Sequence, residues 1–337
     1  MDGGWIALIV LAGICVLPAL WTLVTAPGFR VRGQHVLLSG ATKGVGLAVA
    51  KEYARAGAKL SLVGRSMERL ESAKAEILRA ASSTEIFLSV CDIADFEAVE
   101  RAVAAANAAH GRATDHVVHA AVVCRAGYVW EQSSSQLQTD MGATYLGAVH
   151  LFKCALPAMI EGDVRGRFVI VCSTGALAPT AGSSSYSGAL YALRGLADTL
   201  RNEMILYGIS TCIYCPGTVS ANPFRANAPA PKPVDGKDAG GVTSYATFTE
   251  ETAVSAAAYE AQAKSLVKGM KAGYYMITNS WSGYLMRVLA NGIAPRQNNG
   301  VEFLMTFFIA GYYALASVVY SRQRAVKPVA SATGTAV

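Results

Sequence analysis

The sequence predicts an α/β fold, a doubly wound parallel sheet of about seven strands, and three observations carry that expectation. Short β-branched runs alternate with longer stretches of helical period from residue 34 to residue 278. The short runs are mostly continuously apolar, as strands covered on both faces are. A glycine-rich turn joins the first run to the first helical stretch.

Taken in order, Trp5–Val24 comes first, twenty residues without a charge. That is about enough to cross the ~30 Å hydrocarbon core of a bilayer. Pro18 interrupts it, which membrane helices tolerate. A cleaved signal peptide fits less well, since no Lys or Arg precedes the run and no clear small-residue cleavage site follows. Arg30 and Arg32 come next, so the positive-inside rule puts the N-terminus in the lumen and the rest in the cytosol. Residues 1–29 are therefore expected to be an N-terminal membrane anchor and 30–280 a globular domain.

In that domain strands are expected near 34–39, 59–63, 86–91, 115–119, 167–172, 209–215 and 273–278, and helices over 44–56, 66–80, 95–109, 135–160 and 186–207. Residues 222–247, rich in Pro, Gly, Ala and Ser, lie between the last two strands, where such a sheet carries a substrate loop. Trp281–Ile293 mixes aromatic and aliphatic residues with Arg287, an interfacial composition. A buried core helix is the plainer alternative. Phe303–Tyr320 is a second apolar run, but Arg322, Arg324 and Lys327 after it also favour the cytosol. Residues 281–321 are thus expected to be membrane-associated, as a re-entrant or interfacial hairpin, and 322–337 a disordered tail.

Composition narrows the classes. The chain is 53% hydrophobic and 15% charged, against a usual quarter, which points to a membrane. The net charge of +6 includes no dense Lys/Arg run in the globular part, which argues against nucleic acid and fits an anionic cytosolic leaflet. Seven cysteines, an odd number, frame no metal site. Cys212-Ile-Tyr-Cys215 has redox spacing but reads as strand, where positions three apart face opposite sides. Buried, reduced cysteines and a cytosol-facing domain are expected.

The strand His35–Ser39 runs into Gly40-Ala-Thr42-Lys43-Gly44-Val45-Gly46 and then an apolar-periodic helix. Glycines there let backbone N–H groups approach a pyrophosphate at a helix N-terminus, the Rossmann-type dinucleotide site. The second strand ends at Arg65, where an NAD site has an acid; with Lys43 it suits the 2′-phosphate of NADPH. Asp92 and Ile93 follow the third strand, placed to touch an adenine, and a helix N-cap is the plainer reading of Asp92. Ser173 ends a strand and Tyr186, thirteen residues on, opens an amphipathic helix. A carbonyl reductase uses that pair to protonate its substrate.

These residues, in this order and spacing, resemble the short-chain dehydrogenase/reductase family over roughly 33–280. Tyr191-Ala-Leu-Arg-Gly-Leu-Ala-Asp-Thr-Leu-Arg-Asn-Glu-Met204 and Ala294-Pro-Arg-Gln-Asn-Asn299 are most similar to its branch of fungal 3-ketosphinganine reductases. The resemblance implies that NADPH reduces the C3 ketone of a sphingoid base, with Tyr186 giving the proton and Ser173 bonding the oxygen. It adds Ala120, Pro216, Gly217 and Thr218 to the cofactor residues. It also implies an endoplasmic reticulum membrane protein with its site facing the cytosol. A homo-oligomer is left open as a partner.

Four positions depart from the family pattern. Leu190 stands where the family has a lysine, Thr144 an asparagine, Val122 a glycine and Ala221 a threonine. The alternative expectation is therefore a protein that binds NADPH or lipid without turnover. His119 reads as a strand-end residue rather than a catalytic one.

Overall fold

A computed structural model describes residues 31–125, 127–179, 182–217 and 255–290. The expected anchor (1–29), the substrate loop (222–247), the run 303–320 and the tail lie outside the described residues, as do Thr218, Ala221 and 294–299.

Seven strands are described: β1 (His35–Ser39), β2 (Lys59–Gly64), β3 (Ile86–Val90), β4 (His116–His119), β5 (Arg167–Val171), β6 (Ser210–Tyr214) and β7 (Met276–Ile277). All pair in parallel in the order β3-β2-β1-β4-β5-β6-β7. Strand order reverses between β1 and β4, so the crevice of a doubly wound sheet opens at their C-terminal ends.

The helices are α1 (Gly44–Arg55), α2 (Met67–Ala80), α3 (Phe96–His110), α4 (Ser134–Met141), α5 (Gly147–Glu161), α6 (Ser184–Glu203), α7 (Ala256–Lys271) and α8 (Trp281–Ala290). Alternation along the strands divides the core in two. Leu37 joins the cluster packed with α3, α5 and α6, while Val36 and Leu38 join the one packed with α1, α2 and α7. Cys212 and Cys215 fall in opposite clusters, as the period of a strand requires. The described cysteines are free thiols.

Three expectations change. The helix expected over 135–160 is interrupted by a widened π-type turn at Gly142–Leu146. The last strand is shorter than 273–278, because Gly273, at φ +74°, ends α7 and Tyr274 is still bonded back to Gly269. The stretch at 281 is a helix whose inner face is core: Val288 is buried, and buried Arg287 donates to the Met276 carbonyl at 3.2 Å. The run Ser134–Glu161 is long and apolar enough to cross a membrane. It packs instead on α3, α6 and β4 as a core helix.

Candidate active site

The turn after β1 is built around absent side chains. A Cβ on Gly40 would lie 2.4 Å from the Ala120 carbonyl carbon, and one on Gly46 would lie 2.1 Å from the Gly40 oxygen. Gly40 and Gly44 also hold φ of +73° and +58°. Only glycine satisfies both demands. Ala120 closes the far side, donating its N–H to Ser39 at 3.0 Å. Lys43 is the residue before α1 and gives it no side-chain cap, so the first-turn N–H groups of α1 point from an open helix end. The cradle fits a dinucleotide pyrophosphate.

Thr42 and Val45 are half-buried in the same turn, and Lys43 and Arg65 are exposed at its rim. Asp92 is exposed and accepts from Ala94 N at 3.0 Å, a local turn; the cap of α3 is Asp95. Ile93 is turned inward against Gly147, leaving Asp92 as the surface side chain of the pair. Pro216 accepts from Thr174 N at 3.0 Å, and Gly217 is held between Asn279 and Gln262. The β5 and β6 turns are thereby locked together.

Ser173 follows β5 and Tyr186 lies in the first turn of α6. The Ser173 hydroxyl bonds the Tyr186 phenol, and it also accepts from Gly175 N at 3.2 Å. Burial pushes the phenol well above its ordinary pKa, the nearby Cys124 thiol adds to the rise, and the bond from Ser173 opposes it. One helical turn on, Leu190 is fully buried. Arg194, the next cation on α6, donates to the carbonyls of Ala176 and Ala290 and lies 3.9 Å from Asp198. It is directed away from the phenol and does not stand in for the missing lysine.

Thr144 sits in the widened turn, where its buried hydroxyl accepts from Val123 N at 3.1 Å. It fixes the backbone after β4 but presents no side-chain amide. Val122 is half-buried against the same core. His119 bonds Ser39 Oγ at 3.0 Å and is fully buried, which lowers its pKa to about 4. A neutral strand-end histidine is the outcome expected for it.

The sequence reading missed a buried carboxylate beside the site. Asp140 on α4, 1% exposed, accepts from Ser185 Oγ at 2.6 Å and lies 3.1 Å from Arg125 Nε. The group ties the turn after β4 to the residue preceding Tyr186. Its one sequence signal is an acid four residues before Thr144, and the polar stretch around it, Ser134–Met141, gives no hint that this position is the buried one. Tyr259 of α7, whose ring lies 3.7 Å from the Cβ position of Gly44, was also missed and walls the cradle.

The short chain dehydrogenase family profile matches residues 34–231. The PIGF/3-ketodihydrosphingosine reductase fusion protein of Schizosaccharomyces pombe is 29% identical over 82% of this chain, which spans only 53% of that relative. A 3-ketodihydrosphingosine reductase of Cryptococcus neoformans is 31% identical, over 79% of this chain and 77% of that protein. Among solved structures, levodione reductase is 29% identical with a TM-score of 0.53, covering 56% of this chain and 72% of its own. A metagenomic short-chain oxidoreductase in complex with NADP is 25% identical with a TM-score of 0.53, covering 57% and 86%.

Proposed function

We propose that this chain, which belongs to the short chain dehydrogenase family, reduces the C3 ketone of 3-ketosphinganine to sphinganine with NADPH. The observation that carries the reading is the bonded Ser173–Tyr186 pair at the mouth of a sheet with an open phosphate cradle beside it. The substrate rests on the likeness to 3-ketodihydrosphingosine reductases.

Bound in the Gly40–Gly46 cradle, NADPH supplies the hydride that the ketone carbon takes up. Lys43 and Arg65, both exposed at the rim, suit the 2′-phosphate. Ser173 holds the carbonyl oxygen by its hydroxyl as negative charge grows there. Tyr186 delivers its phenolic proton to that oxygen. A phenol held protonated by burial is a competent donor, because the developing alkoxide is far more basic than a phenolate. Its phenolate is scarce near neutral pH, so the reverse oxidation waits on a deprotonation that the family's lysine would ease.

The apolar runs 5–24 and 303–320 support membrane attachment at the endoplasmic reticulum, with the catalytic domain in the cytosol. A long-chain substrate then stays near the bilayer that dissolves it.

A second reading has its own observation. Leu190 fills the site of the family's lysine, and Arg194 is engaged elsewhere. In that reading the chain binds NADPH or lipid as a scaffold. Microsomes containing the full chain separate the two: the first predicts NADPH oxidation that needs 3-ketosphinganine, forms sphinganine and is lost in Tyr186→Phe. Binding of NADPH with no ketone-dependent oxidation would leave the scaffold reading.

A further inference from the structure

Both tryptophans among the described residues are on the outside, Trp130 at 52% and Trp281 at 67% exposure. Tryptophan is on average a well-buried residue, so two exposed side chains call for an account. Each is stacked on a tyrosine: Trp130 on Tyr128 with ring centres 4.6 Å apart, and Trp281 on Tyr284 at 5.4 Å. Val129, 60% exposed, extends the first pair.

The two pairs flank the reacting groups. The segment carrying Trp130 is pinned to the start of α6, where Gly127 N donates to Gly182 O at 2.9 Å and Ser184 Oγ to Gln132 at 3.2 Å. That is two residues from Tyr186. The helix carrying Trp281 begins where Gly217 N meets Asn279 at 2.8 Å, and the Cβ position of Gly283 lies 3.5 Å from Thr174, beside Ser173. Neither pair contains a charge; beside the first, Glu131 is bound to Tyr128 N at 2.8 Å, and beside the second the buried Arg287 guanidinium lies 4.8 Å from the centre of the Tyr284 ring.

We propose that these two aromatic pairs dock the mouth of the site onto a lipid bilayer, at the boundary between headgroups and acyl chains. Indole and phenol rings suit that boundary, apolar in body with a polar N–H or O–H. The chain itself argues for a bilayer rather than a second protein. Six residues separate the apolar run ending at Val24 from Val31, and twelve separate Ala290 from the run starting at Phe303. The second span reaches at most ~45 Å from the end of the helix that carries Trp281, so a membrane holding the run at 303–320 lies within range of that pair. Val31 precedes β1, at the end of the sheet away from the mouth, so the first run tethers the domain without aiming the mouth. This inference rests on the sphingoid-ketone reading for its purpose, since a substrate could then enter from the bilayer without crossing water.

The test uses the full chain in phosphatidylcholine vesicles containing an anionic lipid, with Trp5 and Trp21 replaced by Phe. Versions retaining only Trp130 or only Trp281 are expected to be quenched by lipids brominated near the carbonyl end of the acyl chain. A third version, Leu206→Trp with no other tryptophan, probes the exposed apolar turn at the opposite end of the sheet and should stay in water. Quenching at 206 but not at 130 and 281 would overturn the proposal, as would emission from 130 and 281 that responds to protein concentration but not to brominated lipid. In kinetics, Trp130→Ser with Trp281→Ser should slow reduction of vesicle-borne 3-ketosphinganine at least about fivefold. A water-soluble short-chain ketone should be reduced at the parent rate; equal losses on both would place the damage in the site and count against docking. If the parent chain reduces neither ketone, the proposed reaction fails, and the quenching still decides the docking.

Discussion

Leu190 and Tyr186 close on the same backbone atom. A Cβ on Gly175 would lie 3.0 Å from Leu190 Cδ1 and 3.2 Å from Tyr186 Cε1, so the leucine fills the space directly under the phenol's turn. An ammonium placed there by Leu190→Lys enters an apolar slot, since Leu190 is fully buried in the core cluster. Desolvation is expected to lower the unfolding midpoint by about 5–10 °C. Saturating NADPH should restore more stability to this variant than to the parent, because a ribose hydroxyl gives the ammonium a partner. Melts with and without NADPH check it, and an unchanged midpoint in the absence of NADPH would mean that the slot admits water.

The raised pKa of Tyr186 makes the direction of catalysis testable. Reduction needs the protonated phenol, which persists through neutral pH, so its rate should be flat between about pH 6 and 9. Oxidation of sphinganine with NADP needs the phenolate and should rise about tenfold per pH unit over the same range. Initial rates in both directions give the two profiles, and an oxidation rate that levels off near pH 7 would show a phenol with a depressed pKa.

Cofactor choice rests on two exposed cations. Arg65→Asp should weaken NADPH binding about tenfold or more and leave NADH within about threefold of its parent value, because only the 2′-phosphate is lost as a partner. Lys43→Ala should act in the same direction and less strongly. Titration of each variant with both nucleotides checks this, and equal losses for NADH and NADPH would place these side chains on the shared diphosphate instead.

Much of this was legible in the sequence because the signals are local. The strand period, the Gly40–Gly46 turn and the Ser173–Tyr186 spacing each follow from neighbouring residues, and the seven parallel strands appear where they were expected. What was not legible depends on contacts distant in the chain. The widened turn at Gly142–Leu146 breaks a continuous helical pattern at the point where Thr144 bonds the backbone of Val123. Asp140 meets Arg125 and Ser185 only once three elements have converged. Arg287 reads as interfacial from its neighbours, yet it reaches the Met276 carbonyl of β7 and is buried.

The Asp140 group should behave as a buried pair open on one side. Arg125→Ala leaves a carboxylate that is 1% exposed with Ser185 as its remaining bonded partner. The loss is expected to be about 1–3 kcal/mol, below that of a fully buried pair because the Arg125 side chain is 40% exposed. Asp140→Asn, which keeps an oxygen for Ser185 and removes the charge, should cost less than Arg125→Ala. Urea unfolding of the three chains gives the order, and a larger loss in Asp140→Asn would mean that the charge itself holds the turn in place.

Three buried histidines predict the acid limit of the fold. Burial lowers His35 to about 3, aided by His110; it lowers His116 to about 3, aided by Arg167, and His119 to about 4. Each buried ring bonds a hydroxyl: His35 bonds Ser61 at 2.8 Å, His116 bonds Tyr53 at 3.1 Å and His119 bonds Ser39 at 3.0 Å. Their unfolded pKa is near 6.5, so below that pH the unfolded chain binds protons that the folded chain does not. Stability from these groups is therefore complete above about pH 6.5 and falls as pH drops toward their folded values. The full slope is up to ~1.4 kcal/mol per pH unit for each histidine, ~4 for the three together. Between pH 6.5 and 5 most carboxylates remain ionised, which isolates the histidines. Urea midpoints measured across that window should fall steeply, and His119→Asn should remove about a third of the slope. A slope unchanged by that substitution would assign the acid sensitivity to other groups.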